Sequence, residues 1–221
     1  DIFTNPFYFS AKSLSKGLSQ VSDFGKGILL DVGCGSKPYK LLFRHVKSYI
    51  GMDLPSSPKV ANLDLYGNGY HLPFANESAD SILCTEVLEH VNNPKLILLE
   101  IARVLKPEGH LILTVPEIWG AHDLPNDFWR FTQQGISNLT KSSGLEPVIL
   151  RKTGGTFAMA GQRISSLLYY RHGEGKKKPL LYMTTLLCGL IQTVFIAMDI
   201  LYQHEGNTLR HIIVAKKLSK M

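Results

Sequence analysis

The chain has 221 residues, a formal net charge of +6 and 44% hydrophobic residues, which suits one domain with a full core, or one domain with an insertion. Its three cysteines, Cys34, Cys84 and Cys188, form no close pair and have no zinc spacing, which indicates a reducing compartment. The positive charge suits nucleic acid or anionic lipid, but no basic stretch is interleaved with stacking aromatic residues, so we expect no nucleic-acid partner.

Alternating apolar segments predict strands with helices between them. A leading helix is predicted over 10–22, with Leu14, Leu18 and Val21 on one face. Strands are predicted, in chain order, at 27–32, 48–53, 60–64, 80–85, 109–115, 145–151 and 208–217. This alternation is typical of an α/β fold with a doubly wound, mostly parallel sheet.

Two internal helices have recognisable ends. Pro94 suits a first helical turn, where its missing N–H is harmless. Three apolar residues at four-residue spacing carry this helix to Lys106: Ile97, Ile101 and Leu105. A second helix is predicted to begin after the N-cap Thr132 and to end at Gly144.

The first strand leads into a glycine-rich turn. Residues 27–39 read GILLDVGCGSKPY, so that Asp31 closely precedes Gly33 and Gly35. Glycines lack a Cβ atom, so the turn can adopt positive φ and bring backbone N–H groups close to a ligand at the carboxyl end of the strand. The next strand ends in Asp53, about 20 residues beyond the turn, where a carboxylate can hold two ribose hydroxyls.

This turn discriminates between nucleotide ligands. A dinucleotide fingerprint needs a third small residue where Pro38 stands, and a P-loop needs a Gly-Lys-Ser/Thr sequence that does not follow. Asp31 would repel a pyrophosphate but attract the ammonium of a methionyl group. We therefore predict that the cofactor is S-adenosylmethionine rather than NAD.

Further motifs follow the turn in order. They are LPF at 72–74, ADSIL at 79–83, EVLEHV at 86–91, RVLKPEG at 103–109 and LILTVP at 111–116. Together with the turn, they resemble class I S-adenosylmethionine-dependent methyltransferases, of the broad type that includes quinone-biosynthesis methyltransferases. This resemblance covers residues 25 to 152, with a return near 208 to 217. Two segments are similar more narrowly to methyltransferases associated with cell-surface polysaccharide assembly: GCGSKPY at 33–39 and HDLPNDFWRFT at 122–132.

The resemblance implies a Rossmann-like sheet of seven strands and a cofactor site at its carboxyl edge. Asn68 stands where family members usually carry an acid near the adenine amino group, and its amide oxygen can still accept one hydrogen bond. Glu86, at the end of the fourth strand, faces the same edge and is expected near the methionyl end of the cofactor or a helix N-terminus. The predicted cofactor-binding residues are Asp31, Gly33, Cys34, Gly35, Met52, Asp53, Asn68, Gly69 and Glu86.

The residues that follow the fifth strand are expected at the rim where acceptors enter. His122, Asp127 and Arg130 form a polar patch in this segment, which suits a polar or anionic acceptor. Trp129 and Arg130 are predicted to bind the acceptor. The alternative for Trp129 is core packing. A catalytic base is needed only for a hydroxyl or an acidic carbon, and the candidates in order are His122, His90 and Asp127. The histidines share no ligand spacing, so no metal site is predicted.

Residues 153–207 are predicted to form a helical apolar insertion within a single domain of residues 1–221. The uncharged run 180–198 is long enough to cross a membrane, but the final strand must return to the same sheet, which one crossing would prevent. On a helical wheel its polar residues share one narrow arc, so the broad apolar face needs a partner. We expect it to cover the substrate pocket or a dimer seam, or to lie in a membrane interface with Lys176 to Lys178 on head groups.

Three functions remain open at this point. The first is methyl transfer to a small molecule, a sugar or a lipid-linked acceptor, and the second is methylation of a quinone or another isoprenoid. The third is an S-adenosylmethionine-binding module without catalysis. No charged leader with a cleavable apolar run is seen, so we expect a cytoplasmic protein, or one peripheral on the inner face of the membrane through residues 176–203.

Overall fold

The computed structural model of the chain describes residues 5–55, 63–172, 178–202 and 206–219. The helices are α1 (Tyr8–Ser19), α2 (Pro94–Val104), α3 (Gln133–Lys141), α4 (Thr156–His172) and α5 (Lys178–Tyr202). The strands are β1 (Ile28–Val32), β2 (Ser48–Asp53), β3 (Leu65–Tyr66), β4 (Ala79–Thr85), β5 (Leu105–Pro116), β6 (Leu145–Thr153) and β7 (Arg210–Lys217).

The seven strands form one sheet in the order β3-β2-β1-β4-β5-β7-β6. β1 pairs in parallel with both β2 and β4, and β4 pairs in parallel with β5. The strand order therefore runs outward from β1 in both directions, which places a topological switch point between β1 and β4. The predicted doubly wound α/β fold, with a helical region before the last strand, is confirmed.

The core of the sheet consists of large apolar side chains. β1 and β4 bury Leu29, Leu30, Ile82 and Leu83, each no more than 1% exposed. The buried face of α2 packs against this sheet through residues at helical spacing: Ile97, Leu98, Ile101 and Val104. This burial fixes the carboxyl ends of the strands, where the candidate site lies.

Several predicted boundaries agree with the structure. Pro94 lies in the first turn of α2, and Thr132 caps α3 by accepting a 3.1 Å hydrogen bond from the N–H of Gly135. Gly144 adopts a φ of +80° after α3 ends. The leading helix spans Tyr8–Ser19 rather than 10–22, with Leu14, Leu18 and Val21 buried as predicted.

Two predictions around the sheet are wrong in their boundaries. The helix predicted to reach Lys106 ends at Val104, because Leu105 is extended and pairs with Ala79 as the first residue of β5. Of the strand predicted at 60–64, residues 60–62 lie outside the described residues, and 63–64 lie in no strand. The short strand is Leu65–Tyr66 instead. It directly follows Asp64, whose carboxylate accepts a hydrogen bond from the N–H of Gly51.

The chain forms two compact units. The sheet unit comprises Gly17–Pro116, Ala121–Arg151 and His211–Met221, and the helical unit comprises Asp1–Lys16, Glu117–Gly120 and Lys152–Arg210. The helical unit thus contains the predicted insertion 153–207 together with two other segments of the chain.

Within the helical unit, α4 and α5 form an antiparallel hairpin. Asp199, near the end of α5, accepts 2.9 Å hydrogen bonds from the N–H groups of Phe157 and Ala158 at the start of α4. Farther along, the Ser165 hydroxyl donates to the carbonyl of Cys188 over 3.2 Å. The end of α5 therefore lies beside the start of α4.

Candidate active site

A cavity of about 570 Å³ opens in the sheet unit, within the size range of small-molecule and cofactor sites. Strand ends, the loop after β3, the loop after β4 and the 123–128 segment contribute its walls. The predicted residues that line it are Gly33, Met52, Asp53, Asn68, Gly69, Glu86 and His90. Elements distant in sequence thus converge on one site at the switch point of the sheet.

The glycine turn is fixed by the neighbouring strand. The N–H groups of Gly33 and Cys34 both donate to the carbonyl of Met52, over 2.9 and 3.1 Å. Gly33 has a φ of +72°, and a Cβ there would lie 2.4 Å from a methyl of Val87. Gly35 has a φ of +48° with open space around the position of a Cβ, so the backbone is accessible on that side.

Asp53 lies at the end of β2 and lines the cavity. Its two oxygens accept 2.7 Å hydrogen bonds from the N–H groups of Gly35 and Leu54. A carboxylate oxygen has two acceptor sites, so each can still accept a hydroxyl donor. The carboxylate is therefore pre-oriented for the role predicted for it, as an acceptor of ribose hydroxyls.

Asp31 is buried at the end of β1, with 1% of its surface exposed, and does not line the cavity. Tyr49 donates its hydroxyl proton to Oδ2, whereas Oδ1 is buried without a hydrogen-bond partner among the described residues. Burial raises the pKa of Asp31 to about 7; the Tyr49 hydrogen bond opposes this effect and the nearby Asp53 carboxylate adds to it. An acceptor oxygen with no partner in a buried site fits the ammonium group of the predicted cofactor.

An ion pair behind the turn was not predicted. Lys37, adjacent to the glycines, binds Asp64 over 2.6 Å, and Asp64 also accepts a 2.7 Å hydrogen bond from the N–H of Gly51. A Cβ on Gly51 would lie 2.4 Å from Lys37 Cε, so the glycine makes room for the lysine stem. One pattern in the sequence could have indicated these contacts. Tyr49, Gly51 and Asp53 are two residues apart along β2 and therefore lie on the same face of the strand.

The remaining predicted cofactor residues differ in their exposure to the cavity. Asn68 lines the cavity, and its amide oxygen accepts a 3.0 Å hydrogen bond from the N–H of Tyr70. Glu86 adopts a φ of +52° just beyond β4 and accepts a 2.9 Å hydrogen bond from the Thr114 hydroxyl. Cys34 is buried outside the lining, and burial raises the pKa of its thiol to about 12, with Asp31 adding to the effect, so the thiol stays neutral.

On the opposite wall, His90 faces the cavity. Its Nδ1 lies 2.7 Å from the carbonyl oxygen of Asn126, which can only accept a hydrogen bond. The His122 ring meets the His90 ring edge-on, with 4.8 Å between the ring centroids. In the neutral ring the proton therefore sits on Nδ1 and the lone pair on Nε2, which lies 3.8 Å from Oε1 of Glu89.

Asp127 organises the rest of the predicted acceptor patch. Its side chain is 3% exposed and accepts two hydrogen bonds from Arg130, at 2.7 and 2.8 Å, and one from the N–H of His122 at 2.9 Å. The Arg130 hydrogen bonds hold the pKa of Asp127 far below its usual range, and burial opposes them only in part. Asp127 is thus a weak base.

The acceptor patch predicted from sequence lies behind the cavity wall. None of His122, Asp127, Trp129 and Arg130 is among the described residues that line the cavity. The Trp129 indole N–H donates to the carbonyl of Val91 over 2.8 Å, and Arg130 is engaged by Asp127. Of the three predicted base candidates, His90 lines the cavity, and His122 packs edge-on against the His90 ring.

The tertiary structure also brings together Glu89, His90 and His122. Each offers one ligand atom, and these atoms lie within 4.8 Å of one another. Glu89 and His90 are neighbours in the chain, but His122 comes from the segment after β5, so ligand spacing along the sequence gave no sign of this cluster. Two imidazoles and a carboxylate are a set that a divalent transition metal accepts.

Comparisons with known proteins agree with the fold. Residues 30–113 match the family described as "Methyltransferase domain". An uncharacterized protein of Methanocaldococcus jannaschii is 37% identical over 105 residues, which cover 46% of this chain and 45% of that protein. A ubiquinone biosynthesis O-methyltransferase of Sodalis glossinidius is 33% identical over 136 residues, covering 53% of this chain and 54% of the relative. The chain thus spans about half the length of these curated relatives.

Solved structures resemble nearly the whole chain at low identity. The [4+2]-cyclase SpnF has a TM-score of 0.62 at 18% identity, covering 95% of this chain and 82% of its own. Phosphoethanolamine N-methyltransferase 2 of Haemonchus contortus, in complex with S-adenosylhomocysteine, has a TM-score of 0.60 at 16% identity, covering 92% of this chain and 52% of its own. Residues 30–113 thus match a methyltransferase domain, and the fold resembles that of methyltransferases solved with S-adenosylhomocysteine.

Proposed function

We propose that this chain uses S-adenosylmethionine to methylate a hydroxyl group of a small molecule, a sugar or a lipid-linked acceptor, with His90 as the base. One observation carries the proposal beyond the domain assignment. His90 lines the same cavity as Gly33, Asp53 and Glu86, and its Nδ1 is engaged by the carbonyl of Asn126. This leaves Nε2, 3.8 Å from the Glu89 carboxylate, as the ring atom that can accept a proton.

The cofactor side of the site supports the first half of the proposal. Asp53 would hold the ribose hydroxyls, the unpartnered Oδ1 of Asp31 would accept from the methionyl ammonium, and Asn68 lies where the adenine is expected. When bound, S-adenosylmethionine supplies a methyl group that is already activated for in-line displacement. The protein's tasks are then to position the acceptor and to exclude water.

His90 performs the proton transfer in this scheme. Its Nε2 accepts the proton of the acceptor hydroxyl, and its Nδ1–H stays hydrogen-bonded to the Asn126 carbonyl. The edge of the His122 ring supports the imidazole, and His122 is held in turn by the buried carboxylate of Asp127. A base with this support needs no change in its own orientation during the reaction.

The acceptor class rests on sequence resemblance. Residues 33–39 and 122–132 are similar to methyltransferases associated with cell-surface polysaccharide assembly, which favours a sugar or a lipid-linked sugar. The second candidate is a quinone or another isoprenoid, which the match to a ubiquinone biosynthesis O-methyltransferase favours. An S-adenosylmethionine-binding module without catalysis is the third, and the cyclase that shares this fold shows that the fold alone does not decide the chemistry.

The proposal is tested with S-adenosylmethionine that carries a deuterated methyl group. The protein is incubated with the lipid-soluble and polysaccharide fractions of cells, and mass spectrometry follows the gain of one labelled methyl. We expect His90→Gln to lower the rate about 10²–10⁴-fold while binding of the cofactor, measured by calorimetry, stays unchanged. Asp53→Ala is the matched control, because it should abolish labelling through loss of cofactor affinity.

Four outcomes would contradict parts of this scheme. An unchanged rate in His90→Gln would mean that the acceptor needs no base from this residue. Labelling of a quinone fraction alone would replace the sugar acceptor, and cofactor binding without labelling of any fraction would favour the non-catalytic module. Loss of activity in EDTA that divalent ions restore would assign Glu89, His90 and His122 to metal binding instead.

A further inference from the structure

The α4–α5 hairpin has an interior of small and polar side chains. On α4 the buried residues are Ala158, Gly161, Gln162, Ser165 and Ser166, and on α5 they are Thr184, Thr185, Cys188, Gly189 and Gln192. The two helices approach closely, since a Cβ on Gly161 would lie 2.6 Å from the Cβ of Phe195. Helices in contact through small and hydrogen-bonding residues are typical of association in lipid.

The outward face of α5 has the opposite composition. Its exposed large apolar residues range from 43% to 76% accessible: Leu180, Tyr182, Met183, Leu186, Leu187, Leu190, Val194, Ile200, Leu201 and Tyr202. No charged residue occurs between Lys178 and Asp199. Among the described residues, α5 is the one helix long and apolar enough to cross a membrane, and only 28% of its apolar stretch is buried.

The sequence predicts that the broad apolar face of this segment covers the substrate pocket or a dimer seam, or lies in a membrane interface. In the structure Thr185, Gly189 and Gln192 of the polar arc are buried, and Leu186 and Leu190 of the apolar face are exposed. A helix in water shows the reverse, so the exposed apolar face is matched to a non-aqueous neighbour.

The polar interior is held by specific hydrogen bonds. The side-chain amides of Gln162 and Gln192 both donate to the carbonyl of Pro6, over 2.8 and 2.7 Å. The Ser165 hydroxyl donates to the carbonyl of Cys188 over 3.2 Å, and the Cys188 thiol donates to the carbonyl of Ser165 over 3.3 Å. These contacts fix which face of α5 points inward, so a simple rotation of the helix cannot bury the leucines.

The ends of the hairpin decide between crossing a membrane and lying along it. Asp199 binds the first turn of α4, so the hairpin is entered and left at the same end. A crossing hairpin would carry Arg171, His172 and Lys178 through the bilayer and leave the exposed Arg163, in the middle of α4, in hydrocarbon. Both are costly, whereas a hairpin that lies in the interface keeps every charge at head-group level.

The charge at the end of the hairpin where α4 leads into α5 indicates which lipids suit it. Arg171, His172 and Lys178 are exposed there, and the described residues of this end contain no acid. Lys176 and Lys177, predicted to contact head groups, lie outside the described residues. A basic end beside an apolar face is the combination that binds membranes with negative surface charge.

We propose that the α4–α5 hairpin docks in the interface of an anionic membrane, with the apolar face of α5 in the acyl boundary and its basic end on head groups. The chain is then peripheral on the inner face of the membrane, where anionic lipid is available. This inference depends on the helical unit alone and stands independently of the methyl-transfer reaction.

The test uses the full chain and vesicles of two compositions, neutral phosphatidylcholine and phosphatidylcholine with phosphatidylglycerol. We expect sedimentation with the anionic vesicles, and about tenfold weaker binding as salt rises from 0.05 to about 0.5 M, because the basic end is screened. The double variant Leu186→Asp with Leu190→Asp should lower binding by about tenfold or more. The control is Leu41→Asp, which changes a leucine of the sheet unit that is even more exposed and should bind as the wild type does.

Circular dichroism checks that each variant is folded, and size-exclusion chromatography follows the oligomeric state. Binding that resists both high salt and alkaline carbonate would overturn the interfacial placement in favour of a crossing helix. A protein that stays in the supernatant, forms a dimer and loses that dimer in the double variant would assign the face to a second copy. Equal binding of wild type and double variant would overturn the role of the leucines.

Discussion

The sheet unit and the helical unit bury opposite kinds of side chain. β4 of the sheet unit buries Ile82, Leu83 and Cys84 completely, as expected for a core formed in water. The α4–α5 hairpin buries glycine, serine, threonine and glutamine and leaves leucines such as Leu186 half exposed. The difference teaches that the two units follow opposite burial patterns, although they alternate along one chain, and the proposed membrane contact of the hairpin would account for it.

Their buried polar groups differ in the same way. In the sheet unit Asp31 is a buried carboxyl close to the strand ends that line the cavity, and one of its oxygens has no hydrogen-bond partner among the described residues. In the hairpin Gln162 and Gln192 are neutral amides that both bind the carbonyl of Pro6. A buried ionisable group is costly unless a ligand or partner satisfies it, whereas a hydrogen-bonded amide stabilises a helix contact.

The sharpest contrast is expected from leucine truncation in each unit. Leu83→Ala removes a side chain that is 0% exposed and should lower the free energy of unfolding by about 2–5 kcal/mol. Leu186→Ala changes a residue that is 52% exposed, and its effect should stay within about 0.5 kcal/mol in aqueous buffer. Urea denaturation followed by circular dichroism measures both. A large loss from Leu186→Ala would mean that its side chain is buried in solution and would remove the contrast.

A smaller effect is expected from enlarging the hairpin interior. Gly161→Ala would place a Cβ 2.6 Å from the Cβ of Phe195, so the helices must separate, at a cost of about 1–3 kcal/mol. Hydrogen exchange should then show earlier opening of α4 and α5 than of β4. The control Leu167→Ala, on the exposed face of α4, should leave exchange unchanged. If α4 and α5 were as protected from exchange in Gly161→Ala as in the wild type, the contact between Gly161 and Phe195 would be loose.

A pH dependence due to Asp31 is also expected. Its pKa is raised to about 7 by burial, so in the free protein the carboxyl holds its proton below that pH. Cofactor affinity should therefore rise by about tenfold per pH unit up to pH 7 and then level off, because the ammonium prefers the carboxylate. Calorimetry from pH 5.5 to 8.5, over about three units, measures this slope.

The same pKa predicts the sign of the stability change. Between the ordinary pKa of aspartate and about 7, the folded protein binds more protons than the unfolded chain, so unfolding free energy falls as pH rises through this window. Asp31→Asn should remove that fall, be more stable than the wild type at pH 8, and bind the cofactor weakly with no slope. A wild-type slope retained in Asp31→Asn would assign the titration to another group.

Elements with local signals could be read from the sequence. The glycine turn, Asp53 at the end of β2, Pro94 in the first turn of α2 and the Thr132 cap all depend on residues within a few positions of one another. Such interactions are set by backbone conformation and short-range hydrogen bonding, which the sequence encodes directly. The alternation of strands and helices likewise determined the fold class.

The groups that complete the site were decided by tertiary structure. The Tyr49 contact to Asp31, the Lys37 pair with Asp64 and the carbonyl of Asn126 beside His90 join residues separated by 18 to 36 positions. The sequence ranked His122 before His90 as a base candidate, and only the path of the chain after β5 places His90 on the cavity and His122 against its ring.

The sequence by itself determined that α5 has one apolar face and one polar arc, because the 3.6-residue period fixes which residues share a side. It did not determine which face points inward. That was decided by packing, since Gly161 lets α4 approach Phe195, and the amides of Gln162 and Gln192 reach the carbonyl of Pro6. Burial depends on the surface that each face meets, and this is a property of the folded chain and its surroundings rather than of the helix alone.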